Sequence, residues 1–203
     1  MNKGVISVLV AYLIWGLYPF YFHAMQHVAP AEIVIHRVLW TFALLAVYLF
    51  CSRRWRWIQK AVTDKRTVAV FLVSSVLITA NWSTYTYAIV TNQTLEASLG
   101  YFMNPLVSVL LGTVFLKEKL NKAQTLAILF ACAGVMWVTF KQGEFPALGL
   151  TLALSFGFYG LVRKMAPLGS LEGLTLETAF AFPVALLATF YFEIGRASCR
   201  ERV

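Results

Sequence analysis

The sequence predicts an all-α fold, a polytopic membrane helix bundle, and three observations carry that prediction. Apolar residues come in runs of about 20, the length that a helix rising about 1.5 Å per residue needs to cross a hydrocarbon layer about 30 Å thick. Of the 203 residues 60% are hydrophobic and 13% charged, against about 45–50% and about 25% in soluble domains. The basic residues gather in alternate loops. Helices are the only spanning element open to such runs, because unpaired backbone amides cost several kcal/mol each in lipid.

Seven runs lie near 4–22, 32–50, 67–91, 97–116, 123–140, 147–163 and 174–193. The first is too long for the apolar core of a signal peptide, and the only small-x-small candidate after it, Ala29-Pro30-Ala31, holds a proline that obstructs cleavage. It is read as a retained helix. If each run crosses the membrane, Lys3, then Arg53, Arg54, Arg56, Lys60, Lys65 and Arg66, then Lys117, Lys119 and Lys122, then Arg163 and Lys164 fall on one side. The other side holds Lys141 and the acidic Glu32, Glu96 and Glu144. The positive-inside rule puts the N-terminus and the 51–66 loop in the cytoplasm. The net charge of +8 is thereby explained by topology, and a nucleic-acid partner is not expected. Cys51 and Cys132 show no disulfide or metal spacing and read as packing residues. Residues 194–203 lose hydrophobicity abruptly and would set Arg196, Arg200 and Arg202 on the outer side, so this tail reads as non-native.

The start of the first run is echoed by the sixth. Trp15-Gly16-Leu17-Tyr18 lies over Phe156-Gly157-Phe158-Tyr159, and Ala31-Glu32 over Leu171-Glu172. Five helices separate the copies, an odd number, so the second unit is inverted relative to the first. That arrangement places a solute site at the repeat interface near the midplane. The units are expected at 1–141 and 142–193, the second holding two helices.

Polar groups inside the runs mark where a pathway would lie. In the third run Asn81, Tyr85, Ala88 and Asn92 form one stripe at helical spacing. In the fourth, Gly100, Asn104, Ser108 and Gly112 repeat every four residues as a narrow face, and Pro105 leaves the carbonyl of Tyr101 without its helical donor. These read either as a kinked packing seam or as a pathway lining. Tyr12, Gly16, Pro19 and His23 share a face of the first run, and Arg37 lies about five residues inside the second beside His36 and Trp40. An arginine at depth must face the bundle or a water-filled cavity, or else snorkel to the interface. Its repeat counterpart is Glu177. Both lie roughly 8 Å in from helix starts on opposite sides, on the order of 14 Å apart in depth, so Arg37 is expected in an outer vestibule and Glu177 in an inner one. Glu96 opens the fourth run as a helix cap or an ion site. His23 and His27 have metal spacing but no third ligand, the Gly149, Ala153, Gly157 series reads as a packing face, and no metal or cofactor is expected.

Three segments resemble the RarD branch of the EamA-type drug/metabolite transporter superfamily: Asn81-Trp82-Ser83-Thr84-Tyr85, then Glu96 to Leu106 with its Gly100-Tyr101-Phe102-Met103-Asn104-Pro105 core, then Leu116-Lys117-Glu118-Lys119-Leu120. Leu171 to Thr178 fits the same branch. The resemblance covers about residues 1–193. It implies ten helices in two inverted five-helix units, of which about seven are present, and a permease or exporter of small organic metabolites or drugs, chloramphenicol-like compounds among them, in a bacterial inner membrane. The expected site is Tyr12, Trp15, Asn81, Tyr85, Tyr101 and Asn104, with Arg37 and Glu177 in the two vestibules, Pro19 and Pro105 as hinges, and rocking of the units as the mechanism. The expected partners are a small organic solute and the lipid bilayer, with a homodimer among the permitted assemblies. A non-transporting membrane subunit or sensor is the alternative. An intramembrane enzyme would need a nucleophile with its base, or a metal set, and neither pattern is present.

Overall fold

The computed structural model describes the backbone of residues 3–53, 55–143 and 145–200, and the side chains within them apart from Lys3, Gln142 and 193–200. The parts played by Lys3, Arg54 and Glu144 in the charge pattern, and the side chains of the 194–203 tail, therefore lie outside the described residues. Those described form eight helices and no strand: α1 Lys3–Ala24, α2 Pro30–Ser52, α3 Arg56–Thr63, α4 Lys65–Val90, α5 Thr94–Phe115, α6 Lys122–Gln142, α7 Ala147–Met165 and α8 Ser170–Arg200.

Six of these are long and apolar enough to cross a membrane, with mean hydropathy between 1.4 and 2.0. The sequence counts seven runs, and the difference is α7. It has 19 residues, carries Arg163 and Lys164 in its last turn and contains three glycines. Its position explains the weaker apolar signal, since it packs against both α4 and α5 and buries Gly149, Leu152, Ala153, Ser155 and Gly157. A helix walled by protein needs less apolar surface than one walled by lipid. By contrast α6 packs mainly on α5 and has no buried residue in its spanning window, with Phe130, Trp137 and Phe140 all exposed.

The short α3 is an element that the run pattern does not show. It follows a left-handed Arg53, and Trp57 and Ala61 pack with Phe71, Leu176 and Phe180. Its basic Arg56 and Lys60 belong to the strongly charged 51–66 stretch, the composition of a helix lying along a membrane surface. Asp64 then starts α4 by accepting from the backbone N–H of Arg66 and of Thr67, at 3.3 and 3.1 Å. The Thr67 hydroxyl, 2.5 Å away, is the main cause holding the Asp64 carboxyl below its usual range.

α4 is the hub of the bundle, touching α1, α2, α3, α5, α7 and α8. It can do so because its buried face mixes small and hydroxyl residues, Ser74, Ser75, Thr86 and Ala88, with Phe71, Ile78 and Ile89. Hydroxyls elsewhere on the helices are satisfied without a partner helix: Ser83, Thr84, Ser98, Thr151 and Thr175 each donate to the carbonyl four residues back, at 2.8–2.9 Å. The α4–α5 connection turns on Asn92 at φ 61, a conformation that asparagine tolerates better than most residues. Asn92 thus leaves the predicted stripe and accepts from Gln26 at 2.8 Å.

Candidate functional site

Two small-residue faces foreseen in the sequence meet each other. A Cβ on Gly100 would fall 2.9 Å from the carbonyl of Gly149, and one on Gly149 would fall 2.9 Å from the carbonyl of Glu96. Backbone therefore lies against backbone where α5 crosses α7. Farther along, a Cβ on Gly157 would meet Val107 at 2.6 Å. Glu96 caps a helix, but not its own: its carboxylate accepts from the backbone N–H of Leu148, at 3.1 Å, in the first turn of α7.

This seam absorbs part of the predicted site. Asn81 is buried and its amide donates to the Leu152 carbonyl and to the Ser155 hydroxyl, both at 3.1 Å. Tyr85 stacks edge-on against Tyr101 on one side and Phe22 on the other, each at 5.8 Å between centroids. The side-chain amide oxygen of Asn104 is buried with no hydrogen-bond partner among the described residues. It borders a space of about 10 Å³ enclosed by Asn81, Gly100, Tyr101, Leu152 and Phe156, close to the smallest that holds a water. Asn81, Tyr85, Tyr101 and Asn104 are thus brought together, on closely packed helices. Neither predicted hinge ends its helix: α1 runs through Pro19 and α5 through Pro105.

Tyr12 and Trp15 do not join them. They stack on each other at 5.9 Å, and at 66% and 55% exposure face away from the bundle. The inward face of α1 is the next stripe round, Tyr18, Phe22 and Met25 at i, i+4 and i+7. That spacing was readable, but polarity drew attention to Tyr12 instead.

Glu177 also lies elsewhere than expected. The inner vestibule foreseen for it is a closed cluster among α4, α7 and α8, where it is 1% exposed. Ser74 donates to one carboxylate oxygen, Tyr159 to the other at 3.3 Å, and Ser75 to the Glu177 backbone carbonyl at 2.6 Å. Arg163 completes the cluster, its Nε 3.7 Å from the carboxylate, its Nη2 donating to the Gly169 carbonyl at 3.1 Å and its guanidinium over the Phe71 ring. Gly173 makes room for it, since a Cβ there would sit 1.8 Å from Nη1. Sequence reading treated Arg163 as a loop charge, and nothing local in the sequence ties it to a carboxylate 14 residues on, across a turn.

Arg37 stands in a different setting. It opens onto a cavity of about 630 Å³ between α1, α2 and α4, with Leu174 of α8 at one edge. The walls are mainly aromatic and aliphatic: Tyr18 and Phe22 from α1, Ile33, Trp40 and Leu44 from α2, Trp82 from α4. Its guanidinium carbon lies 4.1 Å from the centre of the Trp82 ring, a cation–π contact. Glu32 and His36 line the same cavity. Trp82 is the residue sequence reading missed here. It was visible within Asn81-Trp82-Ser83, yet only the fold shows that it faces α2 while Asn81 faces α7. No group of three metal-ligating side chains occurs among the described residues.

Comparison with known proteins fits this picture. The EamA-like transporter family matches residues 2–140. A Bacillus subtilis protein named Uncharacterized transporter YojE is 43% identical over 91% of this chain and 63% of its own length. The Escherichia coli Protein RarD is 39% identical over 97% and 66%. A Pseudomonas aeruginosa relative named Chloramphenicol-sensitive protein RarD is 29% identical over 98% and 68%. The chain thus spans about two thirds of the length of these curated relatives. No solved structure matches it. With six apolar helices of spanning length and relatives of this kind, the chain is a multi-pass membrane protein that belongs to the EamA-like transporter family, in its RarD branch.

Proposed function

We propose that the protein is a secondary transporter of the bacterial inner membrane, a permease or exporter of small organic metabolites or drugs, with its N-terminus in the cytoplasm. The single observation that carries this reading is the cavity of about 630 Å³ between α1, α2 and α4, which puts an arginine and a ring of aromatics beside one solute-sized space in a membrane bundle. The carrier is the whole protein, of which its relatives suggest that this chain is about two thirds. In that protein residues 1–141 act as one five-helix unit and 142–193 belong to a second, inverted one, with 194–203 outside both. Rocking of the units exposes the cavity to each side in turn. The Tyr85–Tyr101 pair and Asn104, at the α4–α5 border, form the floor against which the units move. The lining holds hydrogen-bonding groups, aromatics and a cation rather than a nucleophile with its base, which favours carriage over chemistry.

The test is uptake of radiolabelled chloramphenicol, chosen for the name that the Pseudomonas relative bears, into proteoliposomes of the full-length protein, followed by a panel of labelled organic acids and amines. Saturable flux above that of empty vesicles is expected for at least one compound, and a Tyr85→Leu, Asn104→Leu double variant is expected to lose about tenfold in rate. Flux equal to that of empty vesicles for every compound overturns the carrier reading. Wild-type rates in the double variant remove these two residues from it.

A further inference from the structure

We propose that the cavity between α1, α2 and α4 binds an amphipathic monocarboxylate, with the carboxylate on Arg37 and an apolar or aromatic body against Tyr18, Phe22 and Trp40. The proposal deepens the carrier reading of the same cavity by naming the class of its solute.

The argument starts from what Arg37 lacks. Ion pairs join Arg163 to Glu177 and Lys164 to Glu118, and no carboxylate among the described residues pairs with Arg37. Its neighbours are the Trp82 ring, 4.1 Å away, and Tyr18, Tyr85 and Tyr101, which interact with its charge electrostatically without a hydrogen bond to it among the described residues. A ring face attracts the charge, but it does not serve the guanidinium's five N–H donors as an in-plane acceptor does. An arginine well inside a spanning helix is costly to hold there, and a cation–π contact offsets only part of that cost. The guanidinium is therefore left short of acceptors at the edge of an open space, held in place by Trp82. Arg163 differs in that the protein supplies it with a carboxylate, a carbonyl and a ring, although its Nη1 finds no hydrogen-bond partner among the described residues.

What completes the site must match a planar fork, and a carboxylate does so with two parallel hydrogen bonds. The rest of the cavity selects the rest of the ligand. Its walls bear far more apolar than polar surface, so a second ionised group would be stripped of water without compensation, which disfavours phosphate esters and dicarboxylates. A volume of about 630 Å³ lies within the usual range for small-molecule pockets, roughly 300–1,000 Å³. Tyr18 and Phe22, edge-to-face at 6.0 Å, present a ready aromatic wall.

Because Trp82 touches the guanidinium, its fluorescence reports on the site. The protein in neutral phosphatidylcholine vesicles is titrated with phenylacetate and with phenylacetamide, the uncharged compound of the same shape. The acid is expected to bind saturably and at least about tenfold more tightly than the amide, Arg37→Gln to abolish that preference while leaving the amide's affinity as it was, and Arg37→Lys to restore part of it. A Trp82→Phe variant is expected to lose part of the optical signal, Trp40 in the same cavity supplying the rest, while calorimetry still registers binding. Equal affinity for acid and amide, no saturable binding of either, or an Arg37→Gln protein that keeps the preference overturns the proposal. So does displacement of the acid on adding phosphatidylglycerol to the vesicles, which would make an anionic lipid headgroup the occupant. Failure of the carrier reading looks different: the acid binds through Arg37, yet labelled phenylacetate does not cross proteoliposomes of the full-length protein.

Discussion

Two arginines in this bundle meet the same solvent problem in opposite ways. Arg163, at the end of α7, is enclosed with Glu177, Ser74, Tyr159 and the Gly169 carbonyl, and Gly173 is shaped around it. Arg37, in the body of α2, is set against the Trp82 ring and near Tyr18, Tyr85 and Tyr101, with no carboxylate partner among the described residues, beside an open cavity. In the first region most of the polar groups partner one another and tie three helices together, with the Arg163 Nη1 alone in the cluster left buried without a hydrogen-bond partner among the described residues. In the second the protein supplies position and leaves hydrogen-bonding capacity for something else. A polar residue inside a membrane protein is thus no guide to function until its partners are counted.

The comparison is broken most forcefully at Glu177. Replacing it with alanine strands Arg163, whose side chain is 16% exposed, and removes the acceptor for Ser74 and Tyr159. Loss of one partner of a buried pair costs roughly 3–5 kcal/mol. Thermal unfolding in detergent is expected to show the largest drop of any single side-chain truncation named here. Glu177→Gln, which keeps the hydroxyl contacts, is expected to recover part of it. A Glu177→Ala protein as stable as the wild type would mean that the cluster ties nothing together.

Asn81 tests the middle of the scale. It binds α7 through two hydrogen bonds, to Leu152 and Ser155, and interhelical hydrogen bonds in membranes average about 0.6 kcal/mol each. Asn81→Leu is therefore expected to destabilise by roughly 1 kcal/mol and to leave the Arg37 cavity unchanged in ligand affinity. An effect on binding larger than that on stability would move Asn81 from the seam to the site.

How far the sequence foretold these two regions follows from which signals are local. Helix spacing alone paired the narrow face of Gly100 with a helix partner and the Gly149–Gly157 series with another, since small residues four apart have a physical meaning in any helix. The bundle and its apolar runs were legible for the same reason. Depth led to the expectation that Arg37 faces the bundle or a cavity, and it lines the space between α1, α2 and α4. What stayed hidden depends on which helix lies opposite. Asn81 and Trp82 are adjacent in sequence and serve different neighbours, α7 and α2. Glu177 looked available because Arg163 lies on another helix, and Tyr12 looked inward because its own stripe is polar, although α1 turns Tyr18 and Phe22 to the core.

Arg37 itself gives the smallest expected effect on stability, and the sign is informative. Arg37→Met removes the cation–π contact, on the order of 1–2 kcal/mol for a half-buried guanidinium, and breaks no ion pair or hydrogen bond among the described residues. It also removes the cost of holding a guanidinium at membrane depth, about 2.5–3.5 kcal/mol on insertion scales. The two effects oppose each other, so the melting temperature is expected to stay level or rise, in contrast to the fall at Glu177. The same substitution is expected to abolish discrimination between acid and amide. A residue whose loss leaves the fold intact and the binding impaired has been kept at depth for its ligand, whereas a fall in stability comparable to that at Glu177 would reveal a structural partner for Arg37 and place both arginines in one class.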